Sequence, residues 1–518
     1  MDVTSTYENP VIRGFNPDPS VVRVGEDYYC ANSTFQYFPA VTISHSRDLV
    51  HWRIIGHALT EDSQLDLRDL ADSHGIWAPD LSYHNGTYYV FATLRLNNPP
   101  EGVAAPLRVQ LMMTADKPEG PYSKPAVLPI DTIDPSLFID DDGKRYLVVS
   151  PGVRIARLSD DCTEVLEEPR AIWEGTGRRC PEGPRLFKKG GWYYTLLAEG
   201  GTGHGHCVTV ARSRSLNGPY LPCPFNPVLT QSDPDAPIQR CGHGQLVQTH
   251  MGEWWMLYLC GRDNEGRFTT LGRETALDPV SWTEDGWFIV NGGRGPSLRN
   301  AAPKLPVSPA QNPSSDEFDS PSLLPIWEFV RNPDPVLWSL AARPGFLRLL
   351  TSDKGLDALL PGNVLLRREE ALKYTADAVM EFAPEEGDAA GLTCYYGVNN
   401  YLALALTKER GTRKTVVVEN RNGVQTRLGE LPVQSGKLLL RMTASGQTRS
   451  FRVDNGDGSG FQEVACAEDC TFLSDEGVTI GKHHTGTMVG FFAHAGEAGR
   501  RTPADFDYLR CRWEQGEL

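Results

Sequence analysis

A chain of 518 residues is longer than one ordinary hydrophobic core requires, so its length predicts two or three domains. The hydrophobic fraction of 40% and the charged fraction of 22% are typical of a soluble globular protein. The net charge of −16 argues against nucleic acid or an anionic membrane as a partner and favours a neutral or cationic ligand.

The N-terminal stretch MDVTSTYENPVIRGF contains no basic segment followed by an apolar one, and no run in the chain reaches transmembrane length. We therefore predict neither a signal peptide nor a membrane span. The eleven cysteines stand singly between Cys30 and Cys511, without a CxxC pair. This distribution favours a reducing cytoplasm over a disulfide framework or a structural zinc site.

The first informative element is RGFNPDPSVVRVGEDYYCANSTF, residues 13–35, in which Asp18 stands between two prolines and before an apolar, β-branched strand. Pro17 and Pro19 leave the backbone of Asp18 little freedom, because proline fixes its own φ and restricts the residue before it. Asp-Pro is a common turn dipeptide, so one copy alone favours a turn. The alternative is a carboxylate held in place for chemistry.

The same pattern returns four more times along the chain. Each copy predicts a strand, a polar turn that usually carries glycine, and a second strand that opens on aromatic residues, which together form a hairpin. The five copies are DPSVVRVGEDYY from Asp18, APDLSYHNGTYY from Ala78, DPSLFIDDDGKRYL from Asp134, GPRLFKKGGWYY from Gly183 and GQLVQTHMGEWW from Gly244. The second place is proline in four copies and Gln245 in the fifth.

The spacing of the copies predicts the architecture. The intervals between their second places are 60, 56, 49 and 61 residues, and each interval accommodates four short strands with their loops. Five such units between about residues 10 and 295 predict an all-β fold, a five-bladed β-propeller, whose radial closure protects most sheet edges. A β-sandwich, the alternative, does not explain five hairpins of matching phase.

Equivalent positions of a propeller lie at the same height around its axis, so residues at or beside the repeat starts are expected to meet at one mouth of the channel. These residues are Asp18, Asp80, Asp134, Glu182 and His243. Four carboxylates and a histidine would repel and stay hydrated unless something used them. Their convergence therefore favours a functional site over a set of turns.

Separated carboxylates without a nucleophilic serine or cysteine signature indicate glycoside hydrolysis, in which one acid protonates the leaving oxygen while a carboxylate attacks or activates water. No GxSxG, HExxH or Walker motif offers a competing site. Phe35 and Trp77 offer aromatic faces for sugar rings, although core packing between blades is an equal alternative for Trp77. The glycine-rich GGTGHGH, residues 200–206, is interpreted as a loop near the pocket.

Six motifs in order carry a resemblance to a known family: GFNPDPS, GIWAPDLSYH, IDPSLF, CPEGPRLFKKGGWYYTLLAEGGTGHGH, CGHG and LGRETALDP. Together they resemble the family-43 glycoside hydrolases, specifically the two-domain branch of β-xylosidases and α-L-arabinofuranosidases. The resemblance extends from about residue 8 to 295 and is weaker toward the C-terminus.

The resemblance implies a role for each carboxylate. Asp18 in NPDPS matches the general base that activates water, and Glu182 in PEGP matches the general acid that protonates the glycosidic oxygen. Asp134 in IDPS matches the third carboxylate, which orients the acid and favours its protonated form. The resemblance also implies inversion at the anomeric carbon, which requires about 6.5 to 9.5 Å between acid and base.

Four further residues match substrate-binding positions of the family. Arg273 in GRET matches an arginine that binds sugar hydroxyls, with an ion pair to Glu274 as the structural alternative, and Phe35 and Trp77 match aromatic subsite walls. His243 matches an axial histidine that in parts of the family holds a calcium ion through water and in others only forms hydrogen bonds. Calcium prefers oxygen ligands, so the histidine is weak support for a structural calcium. No feature indicates an organic cofactor.

The second half of the chain predicts another domain. Residues 1–296 are assigned to the propeller and 297–315, rich in proline and serine, to an ordered linker. Short alternating strands over 316–518 predict a β-sandwich. The domain resembles the C-terminal sandwich of the same branch, which implies the jelly-roll, concanavalin-like kind. In the resembling branch a sandwich loop often closes the pocket; KHHTGTMVGFFAH, residues 482–494, is a candidate for that contact, with an ordinary buried strand as the alternative. Carbohydrate binding by the isolated sandwich is the other hypothesis.

These features predict an exo-acting, inverting glycosidase that releases β-D-xylose from non-reducing ends of xylo-oligosaccharides. The alternatives are an α-L-arabinofuranosidase that removes arabinosyl side groups and a propeller that only binds sugars. STFQYFPAV and the Asp80 of WAPD depart from the usual pattern of the resembling β-xylosidases at positions that help shape the sugar subsites, and they leave the choice of pentose open. We expect small neutral oligosaccharides as partners, not nucleic acid or membrane, and the resembling branch commonly forms homo-oligomers.

Overall fold

Five antiparallel sheets follow one another from Ser20 to Val290 in the computed structural model, which describes residues 5–514. Each sheet contains four sequential strands, and in the fourth sheet the third strand also pairs with the short strand Leu229–Thr230. The blades consist, in order, of Ser20–Val24, Asp27–Asn32, Ala40–Ser46 and Arg53–Leu59; Gly75–His84, Thr87–Arg95, Arg108–Ala115 and Ala126–Leu128; Ser136–Ile139, Arg145–Val149, Val153–Arg157 and Arg170–Trp173; Glu182–Lys189, Trp192–Glu199, Cys207–Ser213 and Leu221–Pro222; and Ile238–Gln248, Trp254–Arg262, Arg273–Trp282 and Phe288–Val290. The predicted five-bladed propeller is confirmed.

The first strand of each blade lines the central channel. Each of these strands contacts the first strands of both neighbouring blades, and the fifth closes the ring against the first. They are the strands that carry the repeat starts, so the sequence repeat marks the inner wall of the propeller.

A left-handed backbone position recurs at the start of every repeat. The φ angle is positive at Asp18 (54°), Ala78 (36°), Asp134 (58°), Gly183 (59°) and His243 (48°). Four of these residues precede a proline, a context that favours extended backbone, and left-handed geometry at a non-glycine residue costs about 1–3 kcal/mol. The surrounding blades therefore impose this conformation, as expected where side chains must be aimed rather than merely packed.

Two eight-stranded antiparallel sheets form the C-terminal sandwich, as predicted. The outer sheet contains, in spatial order, Trp338–Ser339, Leu347–Leu350, Pro503–Trp513, Lys373–Phe382, Lys437–Ser445, Thr448–Asp454 and Gln462–Ala467, with Ser315–Asp316 on Pro503–Trp513. The inner sheet contains Val424–Pro432, Thr412–Arg421, Asn400–Glu409, Ala389–Gly397, Met488–His494, Leu365–Arg368, Glu328–Val330 and Tyr37–Phe38. Two 3₁₀ turns, Asn291–Gly293 and Thr471–Leu473, complete the elements.

The burial of the strands shows which sheet faces the propeller. Lys437–Ser445 of the outer sheet alternates buried and more exposed residues, because one face meets solvent. Asn400–Glu409 of the inner sheet is buried along its first eight residues on both faces. Its second face packs on Phe15, Phe35 and Tyr37 of the propeller, so the inner sheet is the layer between the two domains.

The chain crosses the predicted domain boundaries twice. Tyr37–Phe38 belongs to the propeller sequence but forms an edge strand of the inner sandwich sheet, paired with Phe329 and Val330. The segment predicted as a linker, 297–315, contains the short strand Arg299–Ala301, which pairs with Thr6–Glu8. Residues 1–4 and 515–518 of the predicted domains lie outside the described residues.

Buried charges fix the sandwich on the propeller. Arg331 is fully buried and donates hydrogen bonds to the Leu70 carbonyl and to Asp72, 2.9 Å from the nearer carboxylate oxygen. The other oxygen of Asp72 accepts the Val398 amide at 2.8 Å. A desolvated charge requires its partner in place, so these contacts hold the two domains in one relative position. Within residues 5–514 no helix has the length and apolarity to span a membrane.

Candidate active site

Two rings of side chains line the channel two residues apart along the same five strands. The mouth ring consists of Asp18, Ala78, Asp134, Gly183 and His243. The inner ring consists of Ser20, Asp80, Ser136, Arg185 and Gln245. Residues i and i+2 of a strand share a face, so the inner ring lies one strand step below the mouth ring.

This phase corrects the prediction for Asp80. The structure places Asp80 in the inner ring, where it is 2% exposed, rather than among the converging carboxylates at the mouth. Its carboxylate accepts hydrogen bonds from Arg185 at 2.5 Å, Ser20 at 3.1 Å and the Leu137 amide at 3.0 Å. Because side chains alternate along a strand, Asp80 lies on the same face as Ala78 and was predicted to be equivalent to Asp18. Its carboxylate oxygens instead accept hydrogen bonds from residues of other blades.

Asp18 lies at the mouth with its carboxylate bound on both oxygens. Ser33 donates to Oδ2 at 2.6 Å, Arg273 donates to Oδ1 at 3.3 Å, and Nδ1 of His243 is 3.6 Å from Oδ1. Burial alone would raise the pKa of Asp18, but Arg273, His243 and the Ser33 hydroxyl outweigh it and lower the pKa below its ordinary value. Asp18 is therefore ionised and able to accept a proton.

Glu182 is the carboxyl group with the opposite electrostatic environment. The ladder to the next strand shifts register between Glu182 and Arg185, and this irregularity lets the residue just before the mouth ring turn toward the pocket. Its side chain is 24% exposed. Burial, with the negative charges of Asp134 and Asp18, raises the pKa of Glu182 to about 8. Glu182 therefore holds a proton at neutral pH.

Asp134 is the third carboxylate, and it interacts with Glu182 and with the residue after it. Its Oδ2 accepts the amide of Gly183, the residue after Glu182, at 2.8 Å and the hydroxyl of Ser150 at 3.3 Å. Burial raises the pKa of Asp134 as well, but these two hydrogen bonds and the neighbouring His243 stabilise its ionised form. The negative charge of Asp134 in turn raises the pKa of Glu182, so Glu182 carries the proton.

Arg273 donates hydrogen bonds to residues of both domains at the mouth of the channel. Besides Asp18, it donates to Thr202 at 3.2 Å and, through Nη2, to the carbonyl of His484 in the sandwich at 3.0 Å. The alternative of an ion pair with Glu274 is not observed, because Glu274 pairs with Arg262 at 2.6 Å. Arg273 therefore faces the pocket, as predicted.

The aromatic walls come from both domains. The ring of Phe35 lies 5.9 Å from that of Trp77, and the imidazole of His484 lies 6.3 Å and 6.1 Å from these two rings. The ammonium of Lys482 lies 4.7 Å above Trp77. Residues 482–487, here named the capping segment, thus lie against the pocket, as the first interpretation of KHHTGTMVGFFAH predicts. The rest of the motif, Met488–His494, is the buried strand of the alternative interpretation, so each interpretation holds for one part of it.

His243 does not lie in an environment suited to calcium. Its ring is buried against Gly183, where a Cβ would be 3.1 Å from three ring atoms, and burial lowers the pKa of His243 although the charges of Asp18 and Asp134 oppose that shift. No cluster of three or more His, Cys, Asp or Glu side chains in the described part of the chain could hold a metal ion. A dication needs several oxygens, so these residues do not fit a calcium ligated by side chains, and a water-held ion stays a prediction.

Three groups at the site were not singled out from the sequence. Ser33 follows the first hairpin, where its hydroxyl also accepts the Ala78 amide at 2.7 Å. His484 contributes a backbone carbonyl, which no residue type reveals. His206 ends the GGTGHGH loop with Nε2 3.8 Å from Oε1 of Glu182, so the interpretation of that loop as close to the pocket is confirmed. Only the clustered glycines gave a signal for it.

Comparison with known proteins gives consistent results over the whole chain. The model of glycosyl hydrolases family 43 matches residues 7–288, and that of the beta xylosidase C-terminal concanavalin A-like domain matches residues 315–512. A xylan 1,3-beta-xylosidase of Vibrio sp is 38% identical over 98% of this chain and 99% of its own. The non-reducing end alpha-L-arabinofuranosidase BoGH43B of Bacteroides ovatus is 37% identical over 98% and 95%. The crystal structure of the BlXynB protein from Bacillus licheniformis superposes with a TM-score of 0.96 at 54% identity, covering 98% and 100%.

Proposed function

Since the chain belongs to family 43 of the glycosyl hydrolases and is a glycosidase, we propose that it removes single β-D-xylosyl residues from the non-reducing ends of short xylo-oligosaccharides, with inversion. The proposal rests on one observation above all. Two carboxyl groups of one pocket have pKa values moved in opposite directions, Asp18 downward and Glu182 up to about 8. Such a pair is what acid and base catalysis in one site requires.

The roles follow from the protonation states. Glu182 donates its proton to the glycosidic oxygen as the bond to the anomeric carbon breaks. Asp18 takes a proton from a water that attacks the opposite face of the sugar, so the product inverts. Asp134 holds the Gly183 amide beside the acid and keeps the proton on Glu182 through its negative charge. No step requires a metal ion or an organic cofactor.

The contacts that cover the site from the sandwich support exo action. Phe35, Trp77 and His484 surround one side of the site, and the capping segment lies against it from the sandwich. A pocket closed in this way accommodates a chain end better than the middle of a polymer. Arg273 lies between Asp18 and the capping segment, where its guanidinium can bind sugar hydroxyls.

A second candidate is release of α-L-arabinofuranosyl groups. It is favoured by one specific observation, the arabinofuranosidase of Bacteroides ovatus that matches this chain at 37% identity over almost its full length. Both pentoses present a small set of hydroxyl groups to such a pocket. The bond position, 1,3 or 1,4, is left open in the same way by relatives named for each.

The test is hydrolysis of para-nitrophenyl β-D-xylopyranoside and α-L-arabinofuranoside side by side, followed by 1,3- and 1,4-linked xylobiose. We expect the xyloside and a xylobiose to be cleaved and NMR to detect α-xylose first. Arabinose release with both xylobioses untouched would assign the second candidate. β-Xylose as the first product would contradict inversion.

We also propose a reducing, cytoplasmic location. All eleven cysteines lie in the described part of the chain as free thiols, and all but Cys180 and Cys466 are buried. Homo-oligomer formation stays a prediction from the resemblance.

A further inference from the structure

The imidazole of His206 lies beside the carboxyl group that the proposed function uses as its acid. Nε2 of His206 is 3.8 Å from Oε1 of Glu182, and the ring is 1% exposed. His206 is the last residue of the GGTGHGH loop, and the proposed roles of the acid, the base and the third carboxylate do not involve this loop.

The hydrogen bonds of the ring determine where its proton lies. Nδ1 is 3.1 Å from the carbonyl oxygen of Arg240, which can only accept, so Nδ1 carries the proton. Burial, with the nearby charges of His243, Arg273 and Arg240, lowers the pKa of His206 to about 3, so the ring is neutral. Nε2 therefore presents a lone pair, and among the described residues it has no hydrogen-bond partner.

The packing around the ring fixes its position. A Cβ on Gly242 would collide with Cε1, Nδ1 and Nε2 of the imidazole. Gly242 does not have a positive φ, so the space taken by the ring, and not backbone conformation, explains this glycine. The CGHG motif thus makes room for His206 on one side while the Arg240 carbonyl holds it on the other.

We propose that His206 is a positioning residue for the general acid: its Nε2 accepts a hydrogen bond from protonated Glu182 in the free enzyme and aims the carboxyl group until the glycosidic oxygen replaces it. The separation of 3.8 Å closes by a small rotation of the carboxyl group, and catalytic hydrogen bonds are often long before substrate binds. The proton stays on Glu182 throughout and moves only to the leaving oxygen. This inference rests on the proposed role of Glu182.

The other charges around Glu182 have different effects. Asp134 and Asp18 favour its protonated form by repulsion, whereas Arg273 and Arg179 favour the ionised form. An acceptor for the neutral acid stabilises the protonated form, so removal of Nε2 should lower the pKa of Glu182.

Two substitutions separate the two nitrogens of the ring. His206→Asn keeps a donor near the Arg240 carbonyl and removes the acceptor near Glu182, whereas His206→Gln places an amide oxygen near the position of Nε2. We expect His206→Asn to lower kcat/KM for xylobiose about tenfold, to change it less than about threefold for the para-nitrophenyl xyloside, and to move the basic limb of the pH profile down by about half a pH unit. We expect His206→Gln to stay within about threefold on both substrates.

His204→Asn is the matched control, because His204 lies in the same loop, is one-third exposed and pairs with Asp263 away from the acid. Thermal unfolding shows whether each variant folds. Greater loss in His206→Gln than in His206→Asn, or equal loss on both substrates with an unmoved pH profile, would show a purely structural histidine and overturn the inference.

A double variant, His206→Asn with Glu182→Ala, distinguishes failure of this inference from failure of the proposed function. If His206 acts through the acid, His206→Asn causes no further loss on xylobiose when Glu182 is already alanine. Full additivity in the double variant contradicts the inference alone. Unchanged xylobiose hydrolysis by Glu182→Ala itself contradicts the proposed acid, whatever the His206 variants do.

Discussion

The mouth ring and the inner ring are built on the same five strands, two residues apart, yet their charged residues lie in opposite electrostatic environments. In the inner ring Asp80 and Arg185 neutralise each other, and hydrogen bonds from neighbouring blades use the remaining carboxylate lone pairs. In the mouth ring Asp18 and Asp134 share a small space with the protonated Glu182, and Nε2 of His243 has no hydrogen-bond partner among residues 5–514.

The backbone differs in the same way. All five mouth-ring residues have a positive φ, and none of the inner-ring residues does. The comparison teaches that one repeated position stabilises the fold when its charges are paired and becomes reactive when strain and unbalanced charge are retained. The following predictions test this contrast, from the largest expected effect to the smallest.

Asp18→Asn should have the largest effect on activity. An amide cannot take a proton from water, and a better leaving group does not replace the base, so kcat/KM should fall about 10³-fold for xylobiose and for the para-nitrophenyl xyloside alike. Steady-state kinetics on the two substrates measures this, with thermal unfolding as the control for folding. Loss below about tenfold on either substrate would remove Asp18 from the role of base.

Glu182→Gln should distinguish between those substrates. The leaving group of xylobiose is a second xylose, a poor alkoxide that needs the proton, so kcat/KM for xylobiose should fall about 10³-fold. Nitrophenolate leaves readily, so kcat/KM for the para-nitrophenyl xyloside should fall about tenfold or less. The ratio of the two losses is the diagnostic quantity. Equal losses would show that Glu182 contributes to binding or folding rather than to proton donation.

The pH profile of the unmodified enzyme should show both shifted groups. Glu182 is active when protonated, so kcat/KM should fall about tenfold per pH unit above about pH 8, through the raised pKa. Asp18 is active when ionised and its pKa is lowered, so protonation of Asp18 should reduce activity only below the ordinary pKa of an aspartate. A basic limb near pH 5 would contradict the electrostatic environment described for Glu182.

Much of the mouth ring could be predicted from sequence because its signals are local. Each blade repeats a short hairpin pattern, and Asp18, Asp134 and Glu182 lie at or next to its start. Asp80 was placed wrongly because a strand repeats every two residues, so a carboxylate two positions late looks equivalent by eye while it lies in the next ring. The two rings can be distinguished only when all five repeats are aligned on the residue that has a positive φ.

The contribution of the sandwich was harder to read. Tyr37–Phe38 pairs across the domain boundary, although its sequence shows nothing beyond a short aromatic pair. The carbonyl of His484 reaches Arg273, and a backbone oxygen carries no residue-type signal. Long-range pairing of this kind depends on how the two domains pack, which local patterns do not encode.

Gly486→Ala tests how far the mouth ring depends on that outside support. A Cβ at Gly486 would lie 2.5 Å from the Leu271 carbonyl oxygen, so the capping segment must move away from the propeller. Loss of the His484 contact to Arg273 should lower kcat/KM about tenfold, mainly through KM. Gly203→Ala is the matched control, because a Cβ there meets no atom within 4 Å. Unchanged kinetics in Gly486→Ala would show that the mouth ring is self-supporting.

Asp80→Ala should have the smallest effect on catalysis and should separate the two rings most clearly. It removes the same residue type as a change at Asp18, but from the inner ring, and leaves Arg185 buried without its partner. Removal of one member of a buried pair costs about 3–5 kcal/mol, so the melting temperature should fall by several degrees. The kcat/KM of the folded fraction should change less than about threefold, with an unshifted pH profile. A loss comparable to that of Asp18→Asn, at unchanged stability, would return Asp80 to the active site and dissolve the distinction between the rings.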